Sequence, residues 1–345
     1  MLSFSLVYRR EDFLLETSKL DLPSLTGVFG ASGVGKTTLL RILSGLESPS
    51  RGEIQFNGQS WLNASCNIPP HRRPIAFVTQ GSHLFPHLSV KANIKLVQRV
   101  NNEELLQLIN LFELVPLLDK KATQLSGGQA QRVALVRALA SQPKLLLLDE
   151  VFSALDRSSA IALLKGLKRW LTARHIDCLM ISHNPEDLVY FSDKVLLLTA
   201  DKPVALGDSL QMINRYNDQQ QQALVIKVVQ SDRKADRGWR WFKFGQQYLL
   251  AESDQLLDQS FHLVSFKPKN LVISSHFVEN CSAQNQWQAK VVGLSQRANE
   301  CLIEVDLEGL VFSVPISPRA QQTLCLAKDQ MVFLLHKAVK LHNQF

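Results

Sequence analysis

The sequence lacks any long apolar stretch. None of its apolar runs reaches the roughly 18 to 20 residues that a membrane-spanning helix needs. The first residues have neither the basic start nor the apolar run with a small-residue cleavage site that a secretory signal requires. If the protein works at a membrane, another chain is expected to supply the membrane-spanning part.

Cysteine is scarce and scattered. The five cysteines are odd in number and widely spaced, and no CxxC pair occurs among them. This pattern argues against a disulfide framework and against a zinc site, and it indicates the reduced thiols of a cytoplasmic protein. The residues are Cys66, Cys178, Cys281, Cys301 and Cys325.

Dense runs of one charge are also absent. The net charge is +7 and the pI is near 9.2, but lysine and arginine are spread along the chain. We therefore expect a solvated basic surface and no nucleic-acid partner. Hydrophobic residues make up 46% and charged residues 20% of the chain, which is typical of a globular protein. With 345 residues, the chain is long enough for two domains.

The first two hundred residues alternate apolar runs with helical patterns. Apolar runs at 25–29, 145–148 and 178–181 predict buried strands, and residues 37–45 predict the helix behind a glycine-rich loop. Such alternation is typical of a parallel sheet with crossover helices, so the predicted fold class of this part is α/β. Apolar spacings of three and four predict a helical subdomain at about 88–140.

The character of the chain changes after residue 208. Residues 214–222 are polar, end in four glutamines and are predicted to bury little, so we place the domain boundary at 222. Beyond it, alternating runs at 223–229, 300–306 and 310–314 predict short strands. The predicted domains are thus an α/β domain at 1–222 and a small all-β domain at 223–345.

The segment from Gly30 to Thr37 has the pattern GxxxxGKT, between a predicted strand and a predicted helix. Glycines let backbone N–H groups approach a phosphate closely, and the helix start adds a positive dipole end. Lys36 would bridge the β and γ phosphates of ATP, and the Thr37 hydroxyl would hold Mg²⁺. The predicted contacts of the loop are Gly30, Ala31, Ser32, Gly33, Val34, Gly35, Lys36, Thr37 and Thr38.

Two acids end the apolar strand at 145–148. Asp149 is predicted to support Mg²⁺, and Glu150 is predicted to polarise the attacking water. Because parallel strands present their carboxyl ends at one edge of a sheet, both acids should lie near the glycine-rich loop.

The run from Leu125 to Gln129 reads LSGGQ and is the most diagnostic feature of the sequence. Its serine hydroxyl and glycine N–H groups at a helix start form a second anion site, made by Ser126, Gly127, Gly128 and Gln129. This run is the ABC signature, and residues 3–208 resemble the ABC ATPase family. The resemblance implies that the signature faces the phosphate loop of a second copy of the chain, with ATP between them.

Further positions follow from this resemblance. Gln80, after the predicted strand at 75–79, matches the glutamine that senses Mg²⁺ and water and contacts the membrane subunit. Residues 153–156 resemble the loop that links the two nucleotide sites, and His183 resembles the histidine that contacts the γ phosphate. Val151 follows Glu150 where the family usually has proline, a change that removes no catalytic group.

The resemblance also implies an aromatic residue that stacks on adenine near the N-terminus. Tyr8 is the best-placed candidate, and Phe13 is the alternative.

The C-terminal part narrows the class of transporter. ABC exporters usually fuse the ATPase to membrane helices, which this sequence lacks, so an importer fits better. Residues 284–345 resemble the OB-like TOBE or Mop module of importers, and residues 316–320 most resemble the oxyanion-binding module of molybdate importers. The length and the run at 84–87 also resemble their ATP-binding subunits.

The resulting hypothesis is a peripheral ATPase on the cytoplasmic face of a bacterial inner membrane that drives molybdate import. Its expected partners are a second copy, the permease subunits, a periplasmic oxyanion-binding protein indirectly, and molybdate in the C-terminal domain. Alternatives are the same motor for sulfate, a sugar, a polyamine or ferric iron, a soluble ABC ATPase acting on ribosomes or DNA, and a non-catalytic oxyanion sensor. The C-terminal module can equally be a dimerisation element without a ligand.

Overall fold

The structure, a computed structural model, describes residues 1–11, 13–200, 204–236, 238–252, 261–297, 300–337 and 339–340. Contacts between Cα atoms divide the chain into two compact units, Met1–Ser209 and Leu210–Phe345. No helix within these described ranges is long and apolar enough to cross a membrane. The last residues of the predicted C-terminal module, 341–345, lie outside the described residues.

An antiparallel sheet opens the first unit. Its strands are β1 (Leu2–Arg10), β2 (Phe13–Glu16), β3 (Leu20–Leu22), β5 (Arg51–Phe56), β6 (Gln59–Asn63) and β7 (Cys66–Asn67). They lie in the order β2-β1-β5-β6-β7, and β3 pairs with β1. Side chains of β1 alternate between core and surface, because successive residues of a strand face opposite sides of the sheet.

The second sheet of this unit holds the functional residues. Its strands are β4 (Leu25–Gly30), β8 (Ile75–Val78), β9 (Leu145–Asp149), β10 (Asp177–Ile181), β11 (Lys194–Leu198) and β12 (Ala205–Asp208). Their order is β12-β11-β4-β10-β9-β8. All pairs are parallel except the one between β11 and β12. Every residue of β9 is buried, as expected for a strand covered on both faces.

Helices of the first unit begin mostly at polar caps. They are α1 (Lys36–Ser44), α2 (Val90–Lys95), α3 (Asn102–Leu111), α4 (Gly127–Ala140), α5 (Arg157–Ala173) and α6 (Pro185–Phe191). From α2 onward, the residue before each helix accepts a hydrogen bond from a backbone N–H of the first turn. These caps are Ser89, Asn101, Ser126, Asp156 and Asn184.

The second unit is mainly β. Its strands are β13 (Leu224–Gln230), β14 (Trp239–Phe244), β15 (Gln247–Glu252), β16 (His262–Phe266), β17 (Val272–Ser274), β18 (Asn285–Arg297), β19 (Glu300–Leu307), β20 (Leu310–Ile316), β21 (Met331–His336) and β22 (Val339–Lys340). One sheet has the order β16-β13-β14-β15-β22, and the other has the order β17-β21-β18-β19-β20. Both sheets contribute to one core that includes the fully buried Trp287. A short helix, α8 (Pro318–Leu324), follows β20.

The prediction that residues 214–222 bury little was wrong. Helix α7 (Ser209–Gln219) covers most of this stretch, and Asn214 and Asn217 are 3% and 1% exposed. The Asn214 amide donates to the carbonyl of Val225 and accepts from its N–H, at 2.7 and 2.8 Å. Buried amide groups are stable when both their donor and acceptor are hydrogen-bonded. Since these bonds join α7 to β13, most of α7 belongs with the second unit. The division between the units falls between Ser209 and Leu210, at the start of α7, and not at 222.

Candidate functional site

The predicted catalytic residues gather at the carboxyl edge of the parallel sheet. The glycine-rich loop follows β4, Gln80 follows β8, Glu150 follows β9, and His183 follows β10. Since β4, β10, β9 and β8 are consecutive and parallel, their ends meet at one edge.

Lys36 is held inside the glycine-rich loop. Its Nζ donates to the carbonyls of Gly30 at 2.9 Å and Ala31 at 2.7 Å, and the residue is 5% exposed. Burial lowers the pKa of the Lys36 ammonium, while the charges of Glu150 and Asp149 act to raise it. The loop therefore holds a cation where phosphates would meet backbone N–H groups. Within the loop, Ala31, Ser32, Gly33 and Thr37 are exposed, and Val34, Gly35 and Thr38 are half-buried.

Gly35 needs to be glycine for two reasons. Its φ is +98°, which L side chains rarely adopt, and an added Cβ would lie 2.4 Å from Cζ of Phe13. The Phe13 ring thus packs against the glycine-rich loop. The ring of Tyr8 lies in the core of the first unit, 7% exposed, with its hydroxyl donating to Glu47. Tyr8, the best-placed candidate from the sequence, is therefore buried, whereas the alternative, Phe13, lies at the glycine-rich loop.

Thr37 and Asp149 meet directly. The Thr37 hydroxyl donates to Oδ2 of Asp149 at 2.8 Å. The pKa of the Asp149 carboxyl is raised, mainly by burial and also by the charge of Glu150, while the Thr37 hydrogen bond and the charges of Lys36 and His183 only partly offset this rise. A hydroxyl and a carboxylate at this spacing are oxygen donors of the kind that Mg²⁺ prefers.

Glu150 and His183 form the second pair at this edge. The Nε2 atom of His183 lies 2.5 Å from Oε1 of Glu150, and the exposed fractions of these side chains are 50% and 17%. Glu150 has a φ of +55°, and its N–H donates to the carbonyl of Ile181 at 3.1 Å. This left-handed turn directs the chain from β9 into residues 151–156, so the acid stands at the strand end.

The signature forms the start of α4. The Ser126 hydroxyl accepts from the N–H of Gln129 at 3.3 Å, and the Gln129 side chain accepts from the N–H of Ser126 at 3.1 Å. This reciprocal capping fixes the helix start, whose outward N–H groups and dipole favour an anion. Ser126 and Gly127 are exposed, while Gly128 and Gln129 are half-buried.

The signature packs against the loop after Glu150 and makes no polar contact with the phosphate loop in the described part of the chain. A Cβ on Gly128 would lie 2.8 Å from Cδ2 of Leu155 and 3.0 Å from the carbonyl oxygen of Ala154. Within the described part of the chain, no hydrogen bond or ion pair connects the signature residues to residues 30–38.

Sequence reasoning missed the residues that hold Gln80 and its neighbours. Gln80 is exposed, but its carbonyl accepts from the buried amide of Gln131 on α4. Arg137, six residues further along α4, donates to the carbonyl of Ser82 at 3.2 Å, and burial lowers the pKa of its guanidinium. Six positions do not bring two residues onto one face of an α-helix, so no periodic pattern in the sequence marks this pair.

Two protein-family models match the chain. The model described as ABC transporter matches residues 17–153, and the model described as TOBE domain matches residues 281–343.

Curated relatives agree with these matches. The molybdenum import ATP-binding protein ModC of Mannheimia succiniciproducens is 30% identical over 344 residues, covering 96% of this chain and 97% of the relative. ModC of Thiobacillus denitrificans is 39% identical over 205 residues, 56% of this chain and 57% of the relative. The Fe(3+) ions import ATP-binding protein FbpC of Pseudomonas fluorescens is 37% identical over 228 residues, 65% of this chain and 64% of the relative. With these last two relatives, the similarity thus spans less than two thirds of the relative's length.

A solved structure of a dimeric ATP-binding cassette, in a post-hydrolysis state with ADP and Pi, is similar to part of the chain. The TM-score is 0.52 at 25% identity, covering 61% of this chain and 99% of the cassette. The predicted fold class, an α/β P-loop ATPase followed by a small β domain, is confirmed. Motifs, fold and full-length similarity together show that the chain belongs to the ABC transporter family of ATP-binding proteins and ends in a TOBE domain.

Proposed function

We propose that the chain is the ATP-hydrolysing subunit of an ABC importer for molybdate. The observation that carries the hydrolytic part is the pairing of Glu150 with His183 next to the Thr37–Asp149 pair at one sheet edge. Both pairs stand beside a loop that already holds a buried ammonium group.

ATP binding would use the chain's own loop. Lys36 and the backbone N–H groups of the loop would bind the β and γ phosphates as charge-assisted donors. The fit for Mg²⁺ rests on the Thr37 hydroxyl and the Asp149 carboxylate, 2.8 Å apart, with the Gln80 amide as a further oxygen donor. When bound, the ion would neutralise charge on the β and γ phosphates.

Hydrolysis would use Glu150 as the general base. Its carboxylate accepts a proton from the attacking water, and the water oxygen then bonds the γ phosphorus as the bond to ADP breaks. His183 would bind a γ-phosphate oxygen and, through its contact with Glu150, keep the base oriented.

Two copies would be needed for a complete site. The capped start of α4 is an anion site that its own chain does not connect to the phosphate loop. Binding of that helix start to the γ phosphate held by a second copy would bring the two copies together, and hydrolysis would release them.

For adenine, Phe13 replaces Tyr8 as the proposed stacking residue. Phe13 is half-buried and lies against Gly35 at the entrance to α1, whereas the Tyr8 ring is in the core. A ring beside the phosphate loop can stack on a base whose phosphates occupy that loop.

Molybdate as cargo rests on the relatives. Some relatives named for molybdenum import are similar over nearly the whole chain, whereas the relative named for Fe(3+) import is similar over 228 residues. Ferric iron is therefore the second candidate. The importer would place the chain on the cytoplasmic face of a bacterial inner membrane, under a permease fed by a periplasmic oxyanion-binding protein.

Uptake by cells decides between these cargoes. In a strain that lacks the gene for this chain, we expect molybdate accumulation to fall by about tenfold or more and ferric iron uptake to stay unchanged, because a motor without ATP turnover delivers no cargo. Reintroducing the chain should restore uptake, and reintroducing Glu150→Gln should not. Loss of iron uptake with normal molybdate uptake would favour the second candidate.

The TOBE domain is proposed to bind molybdate as a regulator. Hydroxyl and ammonium donors are the chemistry that an oxyanion needs. Residues 316–320, which resemble the oxyanion-binding module, lie at the start of α8. There the Ser317 hydroxyl accepts a hydrogen bond from the N–H of Ala320 at 3.2 Å. Calorimetric titration of molybdate into the full-length chain tests this regulation, and absence of heat at millimolar concentrations would leave the domain a dimerisation element.

A further inference from the structure

Two buried carboxylates lie at the start of α6, outside the groups that would react. Glu186 and Asp187 are 7% and 4% exposed. The guanidinium of Arg157 pairs with both, through Nη1 to Asp187 and through Nη2 to Glu186 at 2.8 Å. Adjacent buried carboxylates are unfavourable unless a cation and hydrogen bonds compensate them. Arg157 therefore joins the first residue of α5 firmly to the first turn of α6.

Asp187 extends this connection to the turn that carries His183. Its Oδ2 atom accepts from the buried hydroxyl of Ser182 at 2.8 Å. The Ser182 hydroxyl oxygen in turn accepts from the N–H of Asn184 at 3.0 Å. These bonds hold the residues on both sides of His183. Because the His183 side chain is 50% exposed, its position depends on this backbone turn more than on packing.

The bonds of Arg157 also link the His183 turn to the loop that follows Glu150. Arg157 directly follows residues 153–156, which pack against the signature at Gly128. The Ser153 hydroxyl donates to the carbonyl of Glu150 at 2.7 Å, so this loop is also bonded to the turn of the general base. Arg157 thus lies between the turn that carries Glu150 and the turn that carries His183.

We propose that Arg157 is a positioning residue for ATP hydrolysis. By pairing with Asp187 and Glu186 it sets the Ser182–Asn184 turn, and hence the placement of His183 against Glu150. This role rests on the proposed function, because it presumes that His183 and Glu150 act in hydrolysis. Arg157 acts through the turn, since its guanidinium is bonded to the two carboxylates.

Steady-state hydrolysis by the full-length chain tests this role. Arg157→Gln should lower kcat by about tenfold to a hundredfold with KM for ATP within about twofold, because a displaced catalytic group costs turnover and not binding. Arg157→Lys should recover part of kcat, since an ammonium keeps the charge but lacks the planar guanidinium whose two nitrogens each bond one of the carboxylates.

The matched control is Arg174→Gln. Arg174 ends the same helix, is exposed to a similar extent (28% against 29% for Arg157) and pairs with Glu104 at 3.2 Å. We expect its replacement to leave kcat unchanged. A thermal unfolding midpoint for each variant separates lost folding from lost turnover.

A double-mutant cycle tests the path through Ser182. Ser182→Ala removes the relay hydrogen bond without changing charge, so its effect on kcat and that of Arg157→Gln should be clearly non-additive. Unchanged kcat in folded Arg157→Gln, or additive effects, would overturn the role. If Arg157→Gln does not fold, Arg157→Lys and Ser182→Ala provide the same comparison.

An inactive wild-type chain would refute the proposed function itself, whereas active wild type with active Arg157→Gln refutes only the positioning role.

Discussion

Replacing Glu150 with Gln should lower kcat for ATP hydrolysis by about a hundredfold to ten-thousandfold, the usual contribution of a positioned general base. Gln keeps the size of the side chain and the left-handed turn at φ +55°, so the backbone bond to Ile181 should survive. Affinity for ATP should stay within about threefold, because the proposed phosphate contacts of the loop at 30–38 do not involve this carboxylate. Steady-state phosphate release and ATP binding, measured on the same preparation, provide both numbers.

Glu113→Gln is the matched control for this change. Glu113 is an exposed acid whose carboxylate pairs with Arg132 at 2.7 Å on the helical part of the first unit. Exposed pairs of this kind contribute little, about 0 to 1 kcal/mol, so kcat should not change. Steady-state hydrolysis by Glu150→Gln at a rate close to wild type would remove Glu150 from the role of base.

Replacing Lys36 with Met should weaken ATP binding by about a hundredfold. Hydrogen bonds to a charged group contribute about 1.5–3 kcal/mol, and about 1.4 kcal/mol corresponds to tenfold in affinity. Met retains most of the buried aliphatic stem, so the loss should come from the ammonium, which now donates to the carbonyls of Gly30 and Ala31. Titration with a fluorescent ATP analogue measures the dissociation constant directly.

Lys91→Met controls for a general loss of positive charge. Lys91 is exposed on α2, away from the sheet edge, so its replacement should leave ATP affinity unchanged. Equal affinity in Lys36→Met and wild type would mean that the loop binds phosphate through backbone groups alone.

Local patterns predicted the sheet edge well. The strand at 145–149 is a pure apolar run, which is typical of a strand buried on both faces, and its two acids follow directly. The glycine-rich loop also has one strong interpretation, because its residue types and the flanking strand and helix agree. Both motifs can be recognised from residues that are adjacent in the sequence. The structure places them at the carboxyl edge of the parallel sheet.

The alternation of side chains along β1 bears on the two candidates for stacking on adenine, Tyr8 and Phe13. Leu2, Phe4, Leu6 and Tyr8 are buried and alternate with half-buried residues, which is the period of a strand with one buried face. This period places Tyr8 in the core. Phe13 lies across the hairpin, paired with Arg10, and its contact with Gly35 follows from tertiary packing.

Two other features were beyond sequence reasoning for physical reasons. Helix α7 was missed because its core side includes Asn214 and Asn217, whose burial is stabilised by bonds to the backbone of residues 223–225. The pairing of Arg157 with Glu186 and Asp187 joins residues about thirty positions apart. No local pattern marks such a pair, because it depends on how α5 and α6 pack.

Each proposed ATP site combines the phosphate loop of one copy with the signature of another. Disulfide formation between two singly substituted chains tests it, with Ser32→Cys in one chain and Ser126→Cys in the other, since a disulfide needs Cα atoms within about 7 Å. Both chains should carry Glu150→Gln to retain ATP, and the exposed Cys281 and Cys325 should be replaced by Ser. We predict that ATP strongly increases a cross-linked species of two chains, one of each kind. If the mixture forms no such species with ATP, or forms it equally without nucleotide, the shared site is contradicted.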